Sequence, residues 1–195
     1  RTAVYPDWFY ENMRNAKPAT LNHNGHSISN AVIGVSFPKP KNGLEVIWNH
    51  LTRWRGQYVV RHIAEGTVYD SGRKKIIKSR QEISFEQFRH LDPTAEPSPL
   101  LLNYSSYITA PSKLAGGALL VIDYLDQFKN PRKAWSFDVE QRRVKRLPHV
   151  AYDNAAVLSD GLRTADETDM YNGSPNRYDW KLLGREIKYI PYNSY

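Results

Sequence analysis

Between residues 42 and 56 the sequence NGLEVIWNHLTRWRG sets Leu44, Ile47, Trp48, Leu51 and Trp54 at spacings of three and four. Glu45, Asn49, His50, Thr52 and Arg53 fall mostly off that stripe. This is the period of an amphipathic helix. Asn42 suits an N-cap, and Glu45 three residues later suits the reciprocal half of a capping box. Arg53 and Arg55 lie where a last turn favours positive charge, and Gly56 follows as a left-handed cap. Two tryptophans and three aliphatics on one stripe require a large apolar surface to lie against.

Elsewhere the dominant period is two. After a short aromatic helix over residues 7–15, anchored by Trp8, Phe9 and Met13, residues 18–40 turn to Asn, Gly, Ser and Pro around one apolar island at 31–35. Residues 57–84 are rich in β-branched side chains about a Ser71-Gly72 turn and predict two or three strands. One helical turn is expected at 85–90 and a Pro-rich break at 92–99. Strands follow at 100–110 and 114–125, joined through Pro111-Ser112-Lys113, with a bulge or close backbone approach at Gly116-Gly117. AWSFDV, residues 134–139, puts Trp135, Phe137 and Val139 on one face, and the chain turns at Glu140-Gln141 and returns over 142–147. Residues 151–176 lack a sustained period and predict a long ordered loop, or one containing a short helix near 164–170; residues 178–190 predict a strand bending at Gly184. The sum is an α+β chain, one domain over 1–195, whose curved antiparallel sheet is covered by one main helix and long loops.

Composition narrows the chemistry. With 27 Lys plus Arg against 20 Asp plus Glu, the net charge of +7 favours anionic partners. Zero cysteines exclude disulfides, thiolate catalysis and Cys-based metal sites within the chain. His23 and His26 lack the Glu a metalloprotease helix needs, and their Asn and Gly surroundings read as a polar loop, so no metal site is assigned. Ser36-Phe37-Pro38-Lys39 has the Ser-x-x-Lys spacing of penicillin-recognising enzymes without their partner motifs. The acids Asp160, Asp166, Glu167 and Asp169 do not follow calcium-loop spacing. Arg142, Arg143, Lys145 and Arg146 form the densest basic patch; alternation on a strand splits it between two faces, which suits a charged edge first, a membrane headgroup second and nucleic acid third. The five Trp, thirteen Tyr and six Phe either fill a core or line a half-open sheet with an apolar pocket.

FPKPKNGLEVIWNHLTRWRG (37–56), QRRVKRLPHVAYDN (141–154), SDGLRTADETDMYNGSPNRYDWKLLG (159–184) and YIPYN (189–193) together closely resemble a bacterial family of outer membrane lipoprotein-sorting protein-like domains, a domain of unknown function. That resemblance implies kinship with the LolA and LolB carriers: an incomplete antiparallel barrel, helices plugging its open side, and an apolar cavity between them. It implies export to the periplasm and partnership with transporters of the resistance-nodulation-division (RND) type and outer-membrane barrel proteins. Family chains are longer, so this chain would cover about the N-terminal half and lack the later strands. A second chain, or the rest of the same protein, would then complete the sheet. LLGREIKYIPYN departs from the family's usual charge order, which puts the pairing of residues 185–188 in question.

The leading expectation is therefore a non-enzymatic carrier for a lipid-like or lipoprotein acyl ligand, with no cofactor and no nucleic-acid partner. Its cavity would be walled by Leu44, Ile47, Trp48, Leu51 and Trp54 on the helix, Tyr58 just after it, and Trp135 and Phe137 on a strand. The alternative is a basic module docking through residues 142–146 on anionic lipid or a transporter. A hydrolase using Asp166 and Asp169 is the third reading. Indoles wedged tightly between layers, with no void beneath them, would sink this carrier reading and leave only a structural role.

Overall fold

The computed structural model describes residues 4–15, 17–31, 34–86, 98–148, 150–189 and 191. Helix α1 spans Asp7–Asn15, strands β1 (Thr20–Asn22) and β2 (Ser27–Ser29) form a small hairpin, and helix α2 spans Gly43–Leu51. Six strands follow: β3 (Tyr58–Val68), β4 (Lys74–Ser84), β5 (Leu100–Ala110), β6 (Ala118–Tyr124), β7 (Lys133–Asp138) and β8 (Arg143–Arg146). They pair in chain order, each antiparallel to the next, so β3 and β8 are the two edges and the described strands do not close into a barrel. The protein is thus α+β.

Helix α2 starts as its sequence implies. The Glu45 amide donates to Asn42 Oδ1 at 2.9 Å, while Glu45 Oε2 accepts from the Lys41 amide at 2.6 Å, one residue before the position a standard box uses. Its end is earlier than expected. Thr52 is the C-cap, fully buried, with its hydroxyl donating to the Trp48 carbonyl at 2.7 Å and lying 3.2 Å from the Ser36 hydroxyl. That local competition for the backbone stops the helix one turn short. Arg53, Trp54 and Arg55 therefore lie beyond it, and Gly56, at φ +99°, serves the bend into β3 rather than a helix cap.

The stripe of α2 is sealed. Trp48 is fully buried and donates its indole N–H to the Gly25 carbonyl at 2.8 Å, and with Leu51 it packs against Ile28, Ile83, Phe85, Leu101 and Leu102. Each of these aliphatics gains about 1.5–3 kcal/mol from full burial. Gly25, at φ +88°, turns the β1–β2 hairpin against Leu44; a Cβ there would stand 2.6 Å from a Leu44 methyl. Trp54 meets Trp8 of α1 edge-on at 4.9 Å.

The β3–β4 hairpin turns through Gly72, whose amide donates to the Tyr69 carbonyl at 2.8 Å. Strand β6 begins at Ala118, four residues later than expected, because residues 111–117 form a turn in which the amides of Leu114 and Ala115 both bond the Pro111 carbonyl. Residues 150–174 are an irregular loop with one bridge, Ala155 to Thr164, and a short 3-10 turn at Pro175–Arg177; no helix forms at 164–170. Residues 178–189 are not a strand: they form no helix and no ladder, and Leu183, Ile187 and Tyr189 are almost fully exposed. The expected turn at 85–90 and break at 92–99 fall mostly outside the described residues, as does part of the island at 31–35.

Candidate functional site

Alternation sends one row of side chains from every central strand to a common face of the sheet. The rows follow the register: Ile83 opposite Tyr104, Tyr104 opposite Val121; Gln81 opposite Ser106, Ser106 opposite Leu119, Leu119 opposite Ser136. Above these rows lies a cavity of about 810 Å³, floored by β3 to β7 and roofed by residues 150–172, with exposed Lys113 and Glu140 at its rim. That volume lies within the ordinary range of small-molecule sites. The floor is largely apolar, through Ile63, Ile77, Ile83, Leu102, Ile108 and Leu119, and Val157 and Leu158 face it from the roof.

The roof is a strap held at several points. Arg132, with its side chain 7% exposed, donates from Nε and Nη2 to both oxygens of Asp123, 2% exposed, at 2.6 and 2.5 Å. Its Nη1 donates to the carbonyls of Val150 and Asn172, both at 3.1 Å, and Nη2 also reaches the Asn172 side-chain oxygen. One buried guanidinium therefore clasps both ends of the strap to the end of the sheet. The middle is tied to the β3–β4 turn by Asp160, which accepts from Tyr69 at 2.5 Å and Lys75 at 2.7 Å. The Lys75 and then the Tyr69 hydrogen bond hold the Asp160 carboxyl below its usual pKa. Arg163 pairs with Glu65 at 2.9 Å. Toward α2, His50 Nε2 lies 3.1 and 3.0 Å from the carbonyls of Asp169 and Tyr171, so that nitrogen carries the hydrogen, and the Asp169 carboxylate accepts from both Arg53 and Arg55.

The expected wall is largely displaced from this space. Trp48 and Leu51 are in the solid core, Ile47 and Trp54 pack around it, Leu44 lies against Gly25, and none of the five lines the cavity. The carrier cavity expected beneath the helix is thus ruled out in that form: Trp48, the one indole of α2, is sealed in the core, and the described cavity opens instead farther along the same sheet face, beside Arg55. Tyr58 is 54% exposed and its hydroxyl donates to Glu82 outside the cavity. Trp135 and Phe137 do share a face, but it is the other one: Ser136 lies over the cavity, while Phe137 stands opposite Val144 and Trp135 opposite Arg146 on the uncovered side. Phe137 reaches the cavity margin only at the end of its strand. Of the basic patch, Arg143 and Lys145 share the cavity face at edge strand β8, where Lys145 pairs with Asp138 at 3.2 Å, and Arg146 takes the uncovered face. Arg142 is in the turn at φ +49°.

Sequence reasoning missed the floor residues Ser79, Gln81 and Ser106, because polar side chains on a covered face invert the usual signal of an inward row. The four loop acids are separate ties: Asp160 to Lys75, Asp166 to Thr164 and Tyr178, Glu167 to the Thr164 amide, and Asp169 to Arg53 and Arg55. Among the described residues no three His, Cys, Asp or Glu side chains converge on a metal-sized site. His23 stacks on the Phe128 ring at 4.3 Å.

An open six-stranded antiparallel meander with two helices and a strapped cavity on one face places this chain among the α+β proteins. The chain belongs to the family described as "Protein of unknown function (DUF1329)", which it matches over residues 1–195. Where the resemblance implied about an N-terminal half, the family match takes in the whole chain. The chain is 45% identical over 183 residues to "Uncharacterized protein PA3922" of Pseudomonas aeruginosa, covering 93% of this chain and 40% of that protein's length. A crystal structure of a DUF1329 family protein from Desulfovibrio piger superposes with a TM-score of 0.51 at 15% identity, covering 75% of this chain and 57% of the other. This likeness concerns the fold alone.

Proposed function

We propose that the chain is a non-enzymatic binding protein that holds a hydrophobic molecule between its sheet and the 150–172 strap, and that it works as a periplasmic carrier between the inner and outer membranes. The observation that carries this reading is the cavity of about 810 Å³ with an apolar floor and a roof fixed by side-chain ties rather than by a packed core. In this reading the sheet is the concave floor of an incomplete LolA-like barrel, α2 is its solid plug, and the ligand lies beside the plug. Each methylene removed from water contributes about 0.8 kcal/mol, so ten of them contribute about 8 kcal/mol before ordering costs. A transporter of the RND type, an outer-membrane barrel protein and a further stretch of β structure completing the sheet are the partners that fit such a role. No helix among the described residues is long and apolar enough to cross a membrane.

The test uses the uncharged probe N-phenylnaphthylamine. The protein should enhance its fluorescence with saturable one-to-one binding, and Leu119→Trp, which fills the floor, should abolish that binding while leaving the circular dichroism spectrum unchanged. Native mass spectrometry should find an apolar passenger on the purified protein. Absence of both probe binding and passenger would end the carrier reading.

A second reading rests on β8, all four of whose residues are exposed at a sheet edge and three of which are basic. It makes that edge a docking strip for anionic lipid or a transporter. Binding to anionic vesicles would then weaken steeply with salt and with Arg143→Glu, whereas apolar probe binding would respond to neither.

A further inference from the structure

We infer, on the basis of the cavity-binding reading, that the ligand is an amphiphile with an acidic oxygen head, a carboxylate or a phosphate, and that Arg55 and Arg61 receive that head at the α2 end of the cavity. The reasoning is a local count of charge. Around the cavity the other cations each have an acid: Arg163 has Glu65, Lys113 has Glu140, and Arg132 has Asp123. Among the described residues, Arg53, Arg55 and Arg61 at the α2 end have a single carboxylate partner between them, while the neighbouring lining acid Glu167 is turned to the Thr164 amide. Arg53 and Arg55 share Asp169, and Arg61 spends its Nε on the neutral Gln81 amide oxygen at 2.9 Å.

The surplus is not dispersed into water. Arg55 lies over the Phe85 ring at 4.5 Å with its side chain 22% exposed, and its Nε–H is buried without an acceptor. Burial first, and then the Arg53 charge, lower its pKa to about 10, with Arg61 pushing the same way, so Arg55 is still cationic at neutral pH and Arg61 is its neighbour. A buried N–H without an acceptor is unfavourable, and a guanidinium fork is the donor set that matches a planar or tetrahedral oxyanion. From that end Ile83, Leu102, Tyr104 and Val121 continue along the floor toward Leu119 and Ile108, a path for an alkyl tail. Burial raises the Tyr104 pKa, so its phenol stays neutral beside the tail.

The experiment displaces N-phenylnaphthylamine with three ligands of equal tail: dodecanol, dodecanoate and dodecyl phosphate. At least one acid should bind about tenfold more tightly than the alcohol, which corresponds to about 1.4 kcal/mol. Which acid binds better identifies the head. Arg61→Met should bring acid and alcohol affinities together while the neutral probe still binds, and Arg61→Lys should keep the preference for acid. If probe and alcohol bind but the acids gain nothing over the alcohol, or if Arg61→Met weakens all three equally, this inference is overturned and cavity binding stands. If neither probe nor alcohol binds, the carrier reading fails and takes the inference with it.

Discussion

His50 illustrates how a side chain off the apolar stripe of α2 comes to hold a distant loop. Its Nε2 hydrogen serves the carbonyls of Asp169 and Tyr171, and burial followed by the Arg53 charge lowers its pKa from 6.5. The unfolded chain therefore takes up the proton before the folded one does. The contribution of His50 to stability is complete above pH 6.5 and declines as the pH falls through the lower folded value. Thermal unfolding followed by circular dichroism should show a melting temperature that drops as pH is lowered from 6.5, and His50→Gln should flatten that drop. An identical decline in the variant would show that other groups are responsible. The sequence disclosed that His50 lies beside the stripe; its partners come from more than a hundred residues away, and no local pattern carries that pairing.

At the scale of elements, local signals told most where they were complete within a few residues. The Asn42–Glu45 cap and the period of α2 are such signals, as is the glycine turn between β3 and β4. The β1–β2 hairpin escaped because strands of three residues give too few positions for a period; its turn does carry the Asn24-Gly25 hairpin signal, within a run of positive φ from His23 to Gly25, but without strand-like flanks that pair reads as a loop. In β7 the period of two was legible and its phase was not: Trp135 and Phe137 alternate cleanly, but Ala134 and Ser136 face the covered side. Residues 178–189 misled for a related reason, since strand-like composition yields a strand only where a ladder edge is within reach. Instead the backbone of Trp180 passes so close to Gly43 that a Cβ there would come within 2.5 Å of it. In the carrier reading, the strap is the element that governs ligand release. Asp160→Asn removes the charge that holds its middle to Lys75 and Tyr69, and stopped-flow displacement of N-phenylnaphthylamine should show faster release with a smaller change in Kd. Unchanged release rates would mean that the strap does not gate the cavity.

For the molecule as a whole, the decisive arrangement is the separation of plug from cavity. Helix α2 gives the sheet a solid end, which lets the remaining floor stay uncovered by core side chains and roofed only by the strap. Beyond Trp180 the chain leaves this body, with Leu183 94%, Ile187 98% and Tyr189 104% exposed. Brief trypsin treatment should accordingly cut first after Lys181, Arg185 or Lys188, leaving a fragment that retains N-phenylnaphthylamine binding. First cleavage within the β3–β4 hairpin would contradict the described exposure. How this segment lies in the context of a longer relative, of which the chain spans 40% in the Pseudomonas aeruginosa case, belongs with the proposed completion of the sheet.

Because Arg132 binds the carbonyls of both Val150 and Asn172, the strap is a noose whose two ends meet at one knot. Length added inside a noose does not propagate into the frame that carries it; doubling a loop costs only about 0.6 kcal/mol in closure entropy. Between its ties at Asp160, Arg163 and Asp169 the roof can thus change in size and composition without disturbing the β ladders, which in the binding reading gives evolution, or an engineer, a separate dial for what the hollow accepts.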